Sequence, residues 1–149
     1  MRLIFALISA AILFGCETTS SAIPLQKNVW QVSTSGIGAI AVSKVEDDLM
    51  RKVAHLTIEQ GYDKFILTRP QSAQGSRYGG TTPVYANTNV NVYGNTGYAT
   101  TTYSGGQPIL IAEKTNSVIV VMYNKGEQGS QNALDARLIL AQLDTKENR

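Results

Sequence analysis

The sequence predicts an α/β (α+β) domain: a two-layer sandwich with a four-stranded mixed sheet and two helices on one face, in the order β-α-β-(long polar insertion)-β-β-α. Three observations point there. Short β-prone apolar stretches recur near 28–34, 62–68, 109–113 and 118–123, helix-period apolar patterns occupy 43–60 and 131–143, and 149 residues suit one domain better than two.

Asn28 to Thr34 (NVWQVST) alternates, with Val29 and Gln31 on one face and Trp30 and Val32 on the other, and reads as a first strand broken by Gly36-Ile37-Gly38. The first helix is expected over Ser43–Gln60. Ser43 and Glu46 have capping-box spacing, Glu46-Asp47-Asp48 place negative charge on the first turn, and Gly61 stands where a helix commonly stops. Val45, Leu49, Val53 and Leu56, with Ala54 beside them, form one apolar face. A dense strand from Tyr62 to Thr68 follows and is expected to end at Arg69-Pro70. Strand, helix and strand with no hairpin between them predict a right-handed parallel crossover. Later, Ile109–Glu113 and Val118–Tyr123 read as an antiparallel hairpin turning on Lys114-Thr115-Asn116-Ser117. The run VIVVMY is apolar on both faces, which suits a central strand. Ser130 is the expected cap of a second helix, Gln131–Leu143, whose apolar row passes through Leu134, Leu138 and Ala141.

Residues 71–107 interrupt this plan. Of these 37 residues 25 are Gly, Ser, Thr, Asn, Gln or Pro, only Arg77 is charged, and five are tyrosines: Tyr78, Tyr85, Tyr93, Tyr98 and Tyr103. A structureless loop of this length inside a domain is abnormal. Three readings stand side by side: a disordered polar insertion, a protruding hairpin with strands near 84–93 and 98–103 around Gly94-Asn95-Thr96-Gly97, and an arm that binds glycan or a partner. An uncharged, β-prone strip is also an edge-pairing hazard, which admits self-association.

At the N-terminus Met1-Arg2 precedes twelve residues, Leu3 to Phe14, with Ser9 the one polar member. Twelve helical residues rise about 18 Å, too short for a hydrocarbon core of ~30 Å, so the stretch reads as a signal-peptide core. It ends in Leu13-Phe14-Gly15-Cys16, which resembles the lipobox of bacterial lipoprotein precursors; Phe14 is bulkier than that pattern prefers. The resemblance implies cleavage between Gly15 and Cys16 and acylation of Cys16, whose thiol is the nucleophile. Acyl chains contribute about 0.8 kcal/mol per buried methylene, and two or more hold firmly. An ordinary secretory cut near Ser20-Ser21-Ala22 and an uncleaved apolar segment are the competing readings. Glu17, in place of the Asp linked with inner-membrane retention, implies the outer membrane. The expected organisation is thus a signal peptide at 1–15, a lipidated flexible tether at 16–27 and one domain at 28–149.

Composition excludes several classes. With 43% hydrophobic and 16% charged residues the chain is neither a polytopic membrane protein nor an acidic disordered one, and a single cysteine forms no disulfide framework. Residues 16–149 carry 12 Lys+Arg against 11 Asp+Glu, no basic patch for nucleic acid. His55 is the sole histidine, so neither a zinc site nor a histidine-based catalytic set suggests itself. Asp47-Asp48 read as helix-start charges rather than partners of Asp63, and no phosphate loop or G-x-S-x-G elbow occurs. No catalytic residue, metal or cofactor is therefore expected.

The stretch Ala54-His55-Leu56-Thr57-Ile58-Glu59-Gln60-Gly61-Tyr62-Asp63-Lys64-Phe65, with the late Asp135-Ala136-Arg137, resembles a family of small uncharacterised proteobacterial lipoproteins with a variable Gly/Ser/Tyr-rich middle. That resemblance implies an envelope lipoprotein in which Thr57, Gly61 and Phe65 serve structure and no active site is present. The expected role is non-enzymatic: attachment to the membrane through Cys16 and contact with an envelope protein, or with peptidoglycan or surface polysaccharide through the tyrosines.

Overall fold

In the computed structural model, which describes residues 18–147, the run expected to be a tether is largely a strand. Thr18–Gln26 forms β1 and pairs antiparallel with β2 (Val29–Ile37), from Thr18↔Gly36 to Gln26↔Val29. Two facts override the polar, proline-containing composition. An edge strand tolerates Pro24, here beside a bulge between Pro24 and Gln26. A hydroxyl of β1 also finds a partner across the pair, Ser20 Oγ lying 3.0 Å from Thr34 Oγ1. Gly15, Cys16 and the signal peptide lie outside the described residues.

The first helix, α1, runs from Ala39 to Glu59, four residues earlier than expected. Its N-cap is Gly38 at φ 92°, and Ser43 does not cap: its hydroxyl donates back to the Ile40 carbonyl at 2.7 Å. The predicted apolar face is the buried face, Val45, Leu49, Val53, Ala54 and Leu56. Its end is as expected. Gly61 takes φ +82°, Tyr62 N–H donates to Thr57 O and Gly61 N–H to Ile58 O, the paired bonds of a Schellman stop. Thr57 is fully buried, its hydroxyl donating to Val53 O at 2.8 Å.

The next strand, β3 (Lys64–Thr81), does not stop at Arg69-Pro70. Arg69 adopts φ 50°, yet the strand continues through it to Thr81. The physical reason lies with β7 (Leu134–Asp135), which pairs only with Lys64 and Phe65. From Ile66 onward one side of β3 has no ladder to satisfy, and a proline is tolerated there.

Residues 108–123 form one strand, β6, instead of the expected hairpin. Lys114, Thr115, Asn116 and Ser117 do not turn; they stand opposite Gly36, Ser35, Thr34 and Ser33 of β2. Their polarity matches that of the neighbouring strand. Ser33 Oγ donates to Ser117 Oγ at 3.0 Å, and Ser35 Oγ lies 2.9 Å from Thr115 Oγ1.

The main sheet has five strands in the order β1-β2-β6-β3-β7, not four. β6 is the central strand that VIVVMY predicted. Asp63 N–H donates to Tyr123 O and Thr68 Oγ1 to Ile119 O, so β3 runs antiparallel to β6, as β2 does. β2 and β3 consequently share a direction, but β6 separates them and no parallel ladder forms between them. The expected mixed sheet is corrected on that point: the apolar strand takes the middle, with Val118, Val120 and Met122 buried on one face and Ile119, Val121 and Tyr123 half-buried on the other.

The second helix, α2, spans Ala136–Glu147. Ser130, expected to cap it, begins a 3-10 turn over Ser130–Asn132. Asp135 is the cap, its Oδ1 accepting from Arg137 N–H at 3.0 Å and Leu138 N–H at 3.1 Å. The core joins Val32, Val118, Val120, Met122 and Phe65 of the sheet to Leu49, Val53, Ala54 and Leu56 of α1 and Ala136 of α2.

The chain divides into two compact units. One comprises the described residues through Gly75 and from Ala112 onward; the other is Ser76–Ile111. The second unit contains β4 (Tyr85–Tyr93) and β5 (Thr96–Ser104), a two-stranded antiparallel sheet of its own. The hairpin reading of 71–107 is the geometry described, with strands at Tyr85–Tyr93 and Thr96–Ser104.

Candidate functional site

The hairpin is built by alternation. Tyr, Thr and Val favour extended backbone, and Asn interleaved with them keeps the strand polar. The register runs from Tyr85↔Ser104 to Tyr93↔Thr96, leaving Gly94-Asn95 as a two-residue loop. Only Gly94 in that loop has positive φ, +61°, which fits a type II′ turn, the form compatible with strand twist. At the base, Thr82 N–H donates to Gln107 O at 2.8 Å and Gly106 N–H returns to Thr82 O at 3.1 Å. Gly105, at φ +101°, passes so close to the Pro83 carbonyl that a Cβ has no room.

Pairing sorts the side chains onto two faces. One carries Tyr85, Asn87, Asn89, Asn91 and Tyr93 from β4 with Thr96, Tyr98, Thr100, Thr102 and Ser104 from β5. The other carries Ala86, Thr88, Val90 and Val92 with Gly97, Ala99, Thr101 and Tyr103. Thr88 Oγ1 and Thr101 Oγ1 lie 2.9 Å apart on that second face. All five tyrosines singled out in the sequence are exposed, from 63% for Tyr98 to 73% for Tyr93. Tyr93 and Tyr98 are brought together as diagonal neighbours, whereas Tyr85 stands at the far end of the same face and Tyr103 on the opposite one. Tyr78 belongs to β3. No charge interrupts the chain between Arg77 and Glu113.

The residues weighed for catalysis are not assembled. His55 is exposed on α1. Asp47 pairs with Lys146, and Asp63 pairs with Arg137 and accepts from Lys125 N–H. Asp47 and the end of α1 at Glu59 are twelve residues apart, about 18 Å of helical rise, so Asp47-Asp48 and Asp63 do not share a site. Among the described residues no group of three or more His, Cys, Asp or Glu side chains is placed to hold a metal. No helix among them is long and apolar enough to cross a membrane.

Two clefts went unseen in the sequence. One, of about 590 Å³, is lined by Lys44, Asp47, Asp48, Arg51, Leu143, Lys146 and Glu147; of its charges, Arg51 pairs with Glu147 and with the neighbouring Asp144, and Lys146 pairs with Asp47. The second, of about 260 Å³, includes Glu46, Leu49, Pro70 and Asn116, and the buried Asn116 Oδ1 has no hydrogen-bond partner. Sequence carried no signal for it, because Asn116 sits in a stretch that reads as a turn.

Beside that cleft Lys114 Nζ donates to Glu46 Oε1 at 2.7 Å. The hydrogen bond and charge of Lys114 hold the Glu46 carboxyl below its ordinary value near 4.5. A carboxyl with a lowered folded pKa stabilises the fold above its unfolded pKa and ceases to do so as pH falls through the folded one. Glu46→Gln is therefore expected to be slightly less stable than the parent at pH 7, with the two urea midpoints converging below about pH 4. Parallel curves across that range would show that the pair contributes nothing.

No known protein family, no curated protein and no solved structure matches the chain.

Proposed function

We propose that this chain is a non-enzymatic bacterial envelope lipoprotein, attached through acylated Cys16, whose work is contact: it presents the β4–β5 hairpin to an envelope protein. The observation that carries the reading is the hairpin itself, nine residues per strand, uncharged and exposed on every side chain. Tyrosines among small polar residues supply large contact area at low side-chain entropy cost. The lipobox-like Leu13-Phe14-Gly15-Cys16 supports attachment, and Glu17 supports the outer membrane as its site.

A second reading has its own support. Tyr93 and Tyr98, neighbours on a face that also carries Asn89 and Asn91, form a stacking platform with amides beside it, the chemistry that receives a sugar ring. Peptidoglycan or a surface polysaccharide would then be the ligand.

The test starts with the intact mass of detergent-extracted protein. It should begin at Cys16 and carry the diacylglycerol adduct, and Cys16→Ser should lose both the adduct and the membrane fraction. A mature form that begins elsewhere without fatty adduct overturns the attachment. Deleting 75–105 should leave the main sheet folded and abolish capture of the partner from solubilised envelopes; unchanged capture overturns the arm as contact surface. Co-sedimentation with purified sacculi, lost in Tyr93→Ala and Tyr98→Ala, would instead decide for glycan.

A further inference from the structure

We infer that the free edge of β4 pairs with the same edge of a second copy of this chain, about a two-fold axis through Asn89. The inference deepens the contact reading above and rests on the hairpin being the contact surface.

Three observations meet on this edge. First, β4 and β5 pair only with each other, so β4 has one unpaired side along nine residues, and a lone two-stranded ribbon is marginally stable. Second, the usual protections of an edge are missing: there is no charge from Tyr78 to Ala112 and no proline within either strand. The two edges therefore bring no like charges of their own against each other.

Third, the side-chain order is symmetric. On one face β4 reads Tyr85, Asn87, Asn89, Asn91, Tyr93, the same in either direction. Antiparallel pairing centred on Asn89 sets Tyr85 opposite the second copy's Tyr93, Asn87 opposite its Asn91, and Asn89 opposite itself. On the other face Thr88 meets Val90 and Ala86 meets Val92, small or β-branched pairs throughout. β5 lacks this symmetry, its face reading Thr96, Tyr98, Thr100, Thr102, Ser104.

The hydrogen-bonding phase agrees. The two-residue loop makes Tyr93 and Thr96 the bonded pair that closes it. Backbone groups of Tyr93, Asn91, Asn89, Asn87 and Tyr85 therefore point to β5, and those of Val92, Val90, Thr88 and Ala86 point to the open edge. In the symmetric register these outward residues meet one another, as Thr88 with Val90 and Ala86 with Val92. Every outward N–H then faces an outward C=O. Asn89 falls in a non-hydrogen-bonded pair, where facing Cα atoms are about 4.5 Å apart. Such an arrangement is isologous and closes at two copies.

Cysteine substitution in the full chain reads the register directly, with the parent, whose one cysteine is Cys16, setting the background. Under mild oxidation Asn89→Cys should shift from monomer to dimer mass on a non-reducing gel. Asn87→Cys and Asn91→Cys should each stay at parent level alone, since each residue lies about four positions from its own copy, ~13 Å along the strand. Mixed together, they should cross-link. Adding Val90→Pro to Asn89→Cys removes an outward N–H that β5 does not use, and should return the dimer to parent level. Absence of a dimer with Asn89→Cys, equal cross-linking at all three positions, or survival of the dimer with Val90→Pro overturns the pairing. Loss of partner capture on deleting 75–105 with no Asn89→Cys dimer would sink this pairing alone. A dimer alongside unchanged capture would sink the envelope-partner reading alone.

Discussion

Phe65→Ala is expected to destabilise the main unit by about 3–5 kcal/mol, a large share of the 5–15 kcal/mol that holds a typical domain. Phe65 is the largest fully buried side chain among the described residues, and it sits in β3 opposite Leu134 of β7. It belongs to the cluster formed by Val32, Val53, Val120 and Met122, each 0% exposed. Truncation removes the ring's transfer free energy and leaves a cavity whose walls come from three separate elements. The valines among those walls have one stiff torsion each; only Met122 has the freedom to lean in and fill part of the space. Urea unfolding followed through Trp30, the sole tryptophan and packed against this same cluster, is the direct measurement. Tyr103→Ala, 71% exposed on the hairpin, is the matched control and should move the midpoint little. A cost for Phe65→Ala under about 1 kcal/mol would mean the ring is not enclosed as described.

How much of this was legible in the sequence depends on what each signal needs to know. The buried face of α1 was legible because the spacing of Val45, Leu49, Val53 and Leu56 refers only to the helix itself. So was its end, since Gly61 supplies a left-handed residue that a Schellman stop requires. Its start was not. Ser43 and Glu46 carry the local pattern of a capping box, yet Gly38 turns the chain into the helix first and Gly38 N–H is fixed on Ala112 O at 2.8 Å. A tertiary bond decided where the helix begins.

The strands failed and succeeded on the same ground. Lys114-Thr115-Asn116-Ser117 has turn composition, and nothing local reveals that Ser33, Thr34 and Ser35 lie opposite to make it a polar ladder. Thr18–Gln26 has tether composition for a similar reason: its hydroxyls and its proline make sense only on the edge of β2. The tyrosines of the hairpin were visible as candidates, and the strand limits nearly so. Their division into a Tyr/Asn face and a Val/Ala face needed the register, which the loop Gly94-Asn95 sets and which a shift of one residue would invert.

The same dependence on a distant partner makes Gly36 the second sensitive position, and Gly36→Ala is expected to cost about 1–3 kcal/mol, Gly36→Val more. Gly36 is buried in β2 between Thr18 of β1 and Lys114 of β6. A Cβ there would lie 2.7 Å from Val45 Cγ2 and 2.8 Å from the carbonyl carbon and oxygen of Ala41, far inside the ~3.5–4.0 Å at which carbon atoms attract. Two of those three atoms are helix backbone. The backbone cannot withdraw freely, because α1 begins three residues after Gly36 and is pinned at Gly38 to Ala112. Glycine's lack of a side chain is what lets the first turn of α1 lie directly on the sheet. Gly75→Ala is the control: its Cβ meets nothing within 4 Å, and it should be neutral or stabilising by a few tenths of a kcal/mol through the unfolded chain. Combining Gly36→Ala with Val45→Ala should recover little, since the Ala41 backbone still blocks the methyl and Val45, itself fully buried, is lost from the core. Equal stability of Gly36→Ala and Gly75→Ala in urea would show that α1 and β2 are not in this close contact.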